Sequence, residues 1–278
     1  MSESRQGALD PASSLALKLK AKRRRGALVS ASYPVLAWMS VLGGILLWEV
    51  VGRLVGSSLF LATPLQSWNA MAELWRSGEL QNHMLVSGQE FFYGYVLACV
   101  AGVAIGLVLA SFPVASAVMG PWVSGLYATP IIAVAPLVIL WFGIGIWSKI
   151  VVVISVVIFP VIINTEAGVR AADRNLIEAV RSFGASRLQI FAKVSLPAAL
   201  PFILAGLRLG IGRGLIGVVV GELFGARAGV GFMILQAAES FAMPKLFAGV
   251  IVLALAGIGL TWGCQLLERR LVPWSNQP

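Results

Sequence analysis

Residues 150–197 read IVVVISVVIFPVIINTEAGVRAADRNLIEAVRSFGASRLQIFAKVSLP, an apolar run that turns abruptly into a basic, amphipathic one. The uncharged part, 150–163, is shorter than the roughly 20 apolar residues that cross a bilayer core, so it reads as a tilted or partly buried span. The segment that follows, 164–200, carries Arg170, Arg174, Arg181, Arg187 and Lys193. Its pattern predicts two short helices where a plain connector would suffice. Asp173 caps the first. Leu176, Val180 and Phe183 then share one face at i, i+4 and i+7, with Arg174, Glu178 and Arg181 on another. Gly184 ends that helix as a C′ glycine. Ser186 and Gln189 form a capping box for the second, with Leu188, Phe191 and Val194 apolar, and Pro197 stops it. Such a pair suits the docking of a soluble partner; an interfacial pair lying on anionic headgroups is the alternative.

The rest of the chain has the same character. Of 278 residues 58% are hydrophobic and 12% charged, about half the charge of an ordinary soluble domain, which excludes a water-solvated globule. Five further apolar windows, 34–51, 91–112, 122–142, 201–220 and 247–267, bring the expected spans to six. Pro130 and Pro136 predict a kink in the third. The net charge of +9 belongs to loops and tails, because Lys and Arg are retained on the cytoplasmic side. Arg5, Lys18, Lys20, Lys22, Arg23, Arg24 and Arg25 precede the first span, and Arg269 and Arg270 follow the sixth. Six spans put both ends and the 164–200 loop inside, leaving Arg53, Arg76, Lys149, Arg227 and Lys245 outside. Residues 1–33 read as a retained, unstructured cytoplasmic tail, too long for the n-region of a secretory signal. Residues 34–270 read as one membrane domain, and 271–278 as a second cytoplasmic tail.

Few residues invite chemistry. Cys99 and Cys264 lie in apolar runs without disulfide or zinc spacing, and no metal site or catalytic constellation is read. The single histidine, His83, reads as an ordinary surface residue of an outer loop. Glu49, Glu90 and Glu222 fall near outer span ends, where hydration and pairing with Arg53 or Arg227 are expected. Trp38, Trp48, Trp122, Trp147 and Trp262 fit interfacial belts. Gly206, Gly210, Gly214, Gly217 and Gly221 permit close helix approach, within one subunit or at a subunit interface or pathway. Arg208 can snorkel from the cytoplasmic end of its span. Arg213 is near mid-span, where a charge costs at least about 2.5 kcal/mol, and is expected to face the bundle interior, on backbone carbonyls or on a route for anions.

The loop residues Glu178-Ala179-Val180, Gly184-Ala185-Ser186, Phe191 and Leu196-Pro197 resemble the EAA signature of binding-protein-dependent ABC importer permeases, E-A-A followed by G and a downstream I-x-L-P. Val180 stands where that signature has its second alanine. The resemblance extends to Trp48-Glu49, Gly206-Leu207-Arg208, Gly221-Glu222 and Gly229-Val230-Gly231, and looks strongest toward permeases for nitrate, aliphatic sulfonates and taurine. It implies an all-α integral membrane protein of six transmembrane helices in the type I ABC importer permease (MetI-like) fold, in a bacterial inner membrane. It implies that Glu178, Ala179, Val180, Arg181, Phe183, Gly184, Ala185, Leu196 and Pro197 couple the chain to a separate ATPase, present in two copies. The same resemblance brings a homodimeric permease pair and a periplasmic or surface substrate-binding protein, with ATP and Mg on the ATPase and no cofactor on this chain. Neither enzymatic activity nor a nucleic-acid partner is implied. The chain has no G-x-x-x-x-G-K-[ST] phosphate cradle of its own. A self-sufficient secondary transporter or channel is the second reading, and an integral membrane enzyme the third.

Overall fold

A computed structural model describes residues 35–57 and 59–273, and every regular element among them is helical. The expected tail at 1–33 lies outside the described residues. The chain divides into two compact units, Met1–Ser57 with Thr63–Leu65, and Ser58–Ala62 with Gln66–Pro278. In the first, α1 (Val35–Val55) is apolar along most of its length and almost wholly exposed, as befits a helix covered by lipid or by another chain. Near its end Glu49 accepts from Arg53 one turn on at 2.7 Å and from the Leu65 amide at 3.3 Å.

The larger unit carries α2 (Pro64–Arg76) from Gln66 onward, α3 (Glu79–Ser111), α4 (Pro113–Ala128), α5 (Ile131–Phe142) and α6 (Ile146–Arg170). After these come α7 (Arg174–Ser182), α8 (Arg187–Ile190), α9 (Leu196–Gly225), α10 (Val230–Glu239) and α11 (Met243–Leu271). Among the described residues five helices are long and apolar enough to cross a membrane, or six if the α4–α5 pair, bent by 100°, is one span. The bend falls where the third expected span was to kink. Pro130 lacks an N–H and drives Thr129 out of the helical region, to ψ 126°, whereas Pro136 lies inside α5 without breaking it.

α6 is the centre of the bundle, packed between α3 and α9. Its Val152, Val153, Val157 and Val161 are wholly buried. Val152 packs with Ala135, Val138 and Val220, and the other three fit because the facing positions have no side chain: Gly94, Gly102 and Gly106 of α3 lie against Val153, Val161 and Thr165, and Gly206, Gly210, Gly214, Gly217 and Gly221 of α9 meet α6 along its other side. Lipid supplies no hydrophobic drive for helix pairing, so this close van der Waals fit carries the association.

Several boundaries differ from the sequence expectation. α3 begins at Glu79, twelve residues before the apolar window, because Ser87 and Glu90 are covered by protein. α6 is a full 25-residue helix; its polar last turns are sheltered, with Thr165 buried and Glu166 paired to Arg170 at 2.8 Å. Pro197 does not stop a helix. The chain passes from α8 through a π-helical turn, Phe191–Ser195, into α9, and Pro197 sits in the first turn of α9, where a proline's missing donor is tolerated. The helices α2, of 13 residues, and α10, of 10, fall below span length, so neither forms an apolar window of its own.

Candidate functional site

The segment joining α6 to α9 forms a projecting helical hairpin. Asp173 Oδ1 accepts the Asn175 amide at 2.8 Å and starts α7. At the other end Gly184 adopts φ +82°. There the Gly184 amide bonds to Arg181 O at 2.9 Å and the Ala185 amide to Val180 O at 3.4 Å, the two bonds of a Schellman motif. Ser186 and Gln189 then close the capping box, by bonds of 2.8 and 3.3 Å. Capped at both ends, α7 has no buried residue. Phe183 is 92% exposed and Leu188 75%, and Glu178, Ala179 and Arg181 are also exposed. Leu196 and Pro197 stand apart from this group, half-buried at the start of α9. The hairpin hangs directly from α6, whose last turn is tied to α4: Ser116 donates to Glu166 Oε1, and Arg170 Nη2 donates to Ser116 Oγ, both at 2.8 Å.

The break between α4 and α5 opens a second feature, a cavity of about 490 Å³ lined by Tyr127, Thr129, Ile131, Ser155, Phe159 and Arg213 among others. Arg213 Nη2 donates to Tyr127 Oη at 2.7 Å, and its guanidinium carbon lies 4.5 Å from the centre of the tyrosine ring. Arg208 has a different fate: it pairs with Glu268 of α11 at 3.1 Å. Tyr127 carried no signal in the sequence, since a tyrosine inside an apolar window reads as part of the window.

At the end of the bundle opposite the hairpin, three side chains read as hydrated or superficial are buried instead. Glu222 Oε1 accepts the Ser87 hydroxyl and Oε2 accepts the Gly231 amide. Ser87 Oγ in turn accepts the Val230 amide at 2.8 Å, and His83 Nδ1 the Gly229 amide at 3.0 Å. These bonds satisfy the N-terminal donors of α10, which the helix itself leaves unpaired. His83 is 7% exposed and Glu90 and Glu222 at most 2%; neither acid pairs with Arg227 among the described residues. The cause is the Gly229 turn, at φ +126°, which folds α10 back over the carboxylate. No group of three or more His, Cys, Asp or Glu suited to a metal ion occurs among the described residues.

Comparison with known proteins agrees with this architecture. Residues 102–273 match the family described as the inner membrane component of binding-protein-dependent transport systems. A Bacillus subtilis (strain 168) protein named as an aliphatic sulfonates transport permease is 39% identical over 233 residues, 84% of each chain. The taurine transport system permease protein of Escherichia coli (strain K12) is 33% identical over 235 residues, 83% of this chain and 86% of its own. A bacterial ABC transporter involved in the import of the acidic polysaccharide alginate superposes with a TM-score of 0.60 at 16% identity, over 91% of this chain and 98% of its own; at that identity the likeness concerns the fold. Its family match, together with this identity over most of two permeases, makes the chain a binding-protein-dependent ABC importer permease, a multi-pass inner membrane component.

Proposed function

We propose that the chain forms the translocation pathway of an ATP-driven importer for a small anionic solute, of the sulfonate or taurine kind, and receives its driving force through the α7–α8 hairpin. The observation that carries this reading is the hairpin itself: a doubly capped, rigid unit that presents Leu176, Phe183 and Leu188 outward and buries none of α7. Exposed apolar groups on a rigid support are what a partner surface requires. A separate ATPase, in two copies under a pair of permease chains, is that partner, and a binding protein delivers solute on the opposite face. Closure of the ATPases pushes α7, α6 moves with it, and the Ser116–Glu166–Arg170 tie carries the displacement into α4, whose far end borders the Arg213 cavity. Access then alternates between the two sides.

The test is purification of the tagged chain in mild detergent together with its cognate ATPase, followed by uptake in proteoliposomes. Co-purification and ATP-dependent uptake are expected. Gly184→Val places a branched side chain at φ +82°, where the left-handed conformation costs roughly 1–2 kcal/mol. That variant is expected to reach the membrane and lose most uptake and ATPase association. Uptake without any ATPase, or unimpaired coupling in Gly184→Val, overturns the reading.

A further inference from the structure

We propose that Arg213 and Tyr127 together form a two-donor site for the oxyanion head of an alkanesulfonate, a proposal that rests on the permease reading and names the atoms that touch its solute. Arg213 is the eighteenth residue of the 30-residue helix α9, about 26 Å from one end and about 18 Å from the other at 1.5 Å per residue. It is exposed on the isolated chain and, among the described residues, pairs with no carboxylate. Lipid does not solvate a cation at that depth. The face around Arg213 therefore looks onto water or another polar surface, and its charge lacks the counterion that Glu268 gives Arg208.

The cavity sets two polar donors against an apolar wall. A guanidinium has five N–H donors, and Tyr127 is the hydrogen-bond partner found for one of them. The tyrosine oxygen accepts that bond, so its own proton is free to donate, and the cation makes the hydroxyl a stronger donor. The other hydroxyls on the wall have spent their protons: Ser155 donates to Val151 O at 2.7 Å and Thr129 to Gly125 O at 3.0 Å. The remaining surface includes Ile131, Val134, Val156 and Phe159, which suits a short alkyl chain. Two convergent donors, one of them cationic, beside an apolar wall select an oxyanion with a hydrocarbon tail over an amine or a metal cation. The cation–π contact with the Tyr127 ring and the hydrogen bond to its hydroxyl hold the guanidinium in place before the anion arrives.

Weak binding suits a transport intermediate, and saturation-transfer NMR detects it. The probe is methanesulfonate, observed through its methyl protons, with the full-length chain in detergent. Saturation transfer is expected for the unmodified chain, suppressed by ethanesulfonate and unaffected by ethylammonium. Tyr127→Phe keeps the ring and removes the donor, and should weaken binding about tenfold, the worth of one hydrogen bond to a charged group. Arg213→Gln should abolish the signal; Arg213→Lys, which keeps charge and loses the forked guanidinium donors, should fall between, and it stands in if the glutamine variant fails to elute as a single species. No signal from the unmodified chain, or equal signals from all variants, overturns the site. ATPase co-purification is read on the same preparations: intact association with unchanged binding in Arg213→Gln sinks this site alone, whereas absent association sinks the permease reading.

Discussion

Glu222 shows how a buried polar side chain is tolerated in this protein. Its two carboxylate oxygens accept one hydroxyl and one backbone amide, and those bonds fasten α10 to α3 and α9. Leaving a buried donor without its partner costs about 1–3 kcal/mol, so Glu222→Ala should release the start of α10 without unfolding α6. Hydrogen exchange of the Gly229–Gly231 amides is expected to rise by one to two orders of magnitude, roughly the loss of one such bond, while the α6 amides stay protected. Equal exchange in both proteins would show that the carboxylate is dispensable for that fold-back. The sequence placed Glu222 near a span end and went no further, because its partners Ser87 and Gly231 sit on opposite sides of it in the chain. One of them is 135 residues away.

Helix packing is decided by which glycines have a neighbour. A Cβ on Gly217 would meet Val156 Cγ2 at 2.7 Å and the Val153 backbone at 3.2 Å, whereas one on Gly212 meets nothing within 4 Å. Overpacking a tight contact costs about 1–3 kcal/mol, and Ala in an open helical position gains up to about 1 kcal/mol over Gly. Gly217→Ala should therefore lower the thermal midpoint in detergent by several degrees and Gly212→Ala should leave it level or raise it, as fluorescence-detected size exclusion after heating would record. The four-residue spacing of Gly206, Gly210 and Gly214, and of Gly217 and Gly221, was legible in the sequence; that these positions face α6 was not. Helix ends divide the same way. Asp173, Gly184 and Ser186 act through bonds to residues at most a few places away, and their capping roles were readable before any fold was known. Pro197 was misread because its effect depends on whether a helix ends or begins there, and the π-helical turn ahead of it has no local signature.

At the level of the molecule, the charge distribution predicts an orientation that labelling can check. With Cys99 and Cys264 replaced by alanine, a cysteine at exposed Ser182, on the hairpin, should react with a membrane-impermeant maleimide only after permeabilisation. A cysteine at exposed Ser77, between α2 and α3, should react in intact spheroplasts. The reverse pattern would invert the topology and remove the hairpin from reach of any ATPase. The chain in isolation also exposes the Arg213 face, which the proposed pairing of two permease chains would turn toward their shared pathway.

What the sequence determined by itself is what depends on composition and on short-range order. Too few charges for water, apolar windows of span length, basic loops and local capping signals together specified a helical membrane protein with a capped helical pair between two of its spans, and a cation stranded at mid-span marked Arg213. The tertiary structure alone decided which side chains meet. Tyr127 reaches Arg213 across 86 residues, and His83 and Ser87 reach the start of α10 across 146 and 143. Those contacts exist because α6 draws α3 and α9 together along glycine rows and Pro130 bends the third span, so their partners are set by packing geometry, which no local pattern in a single chain records.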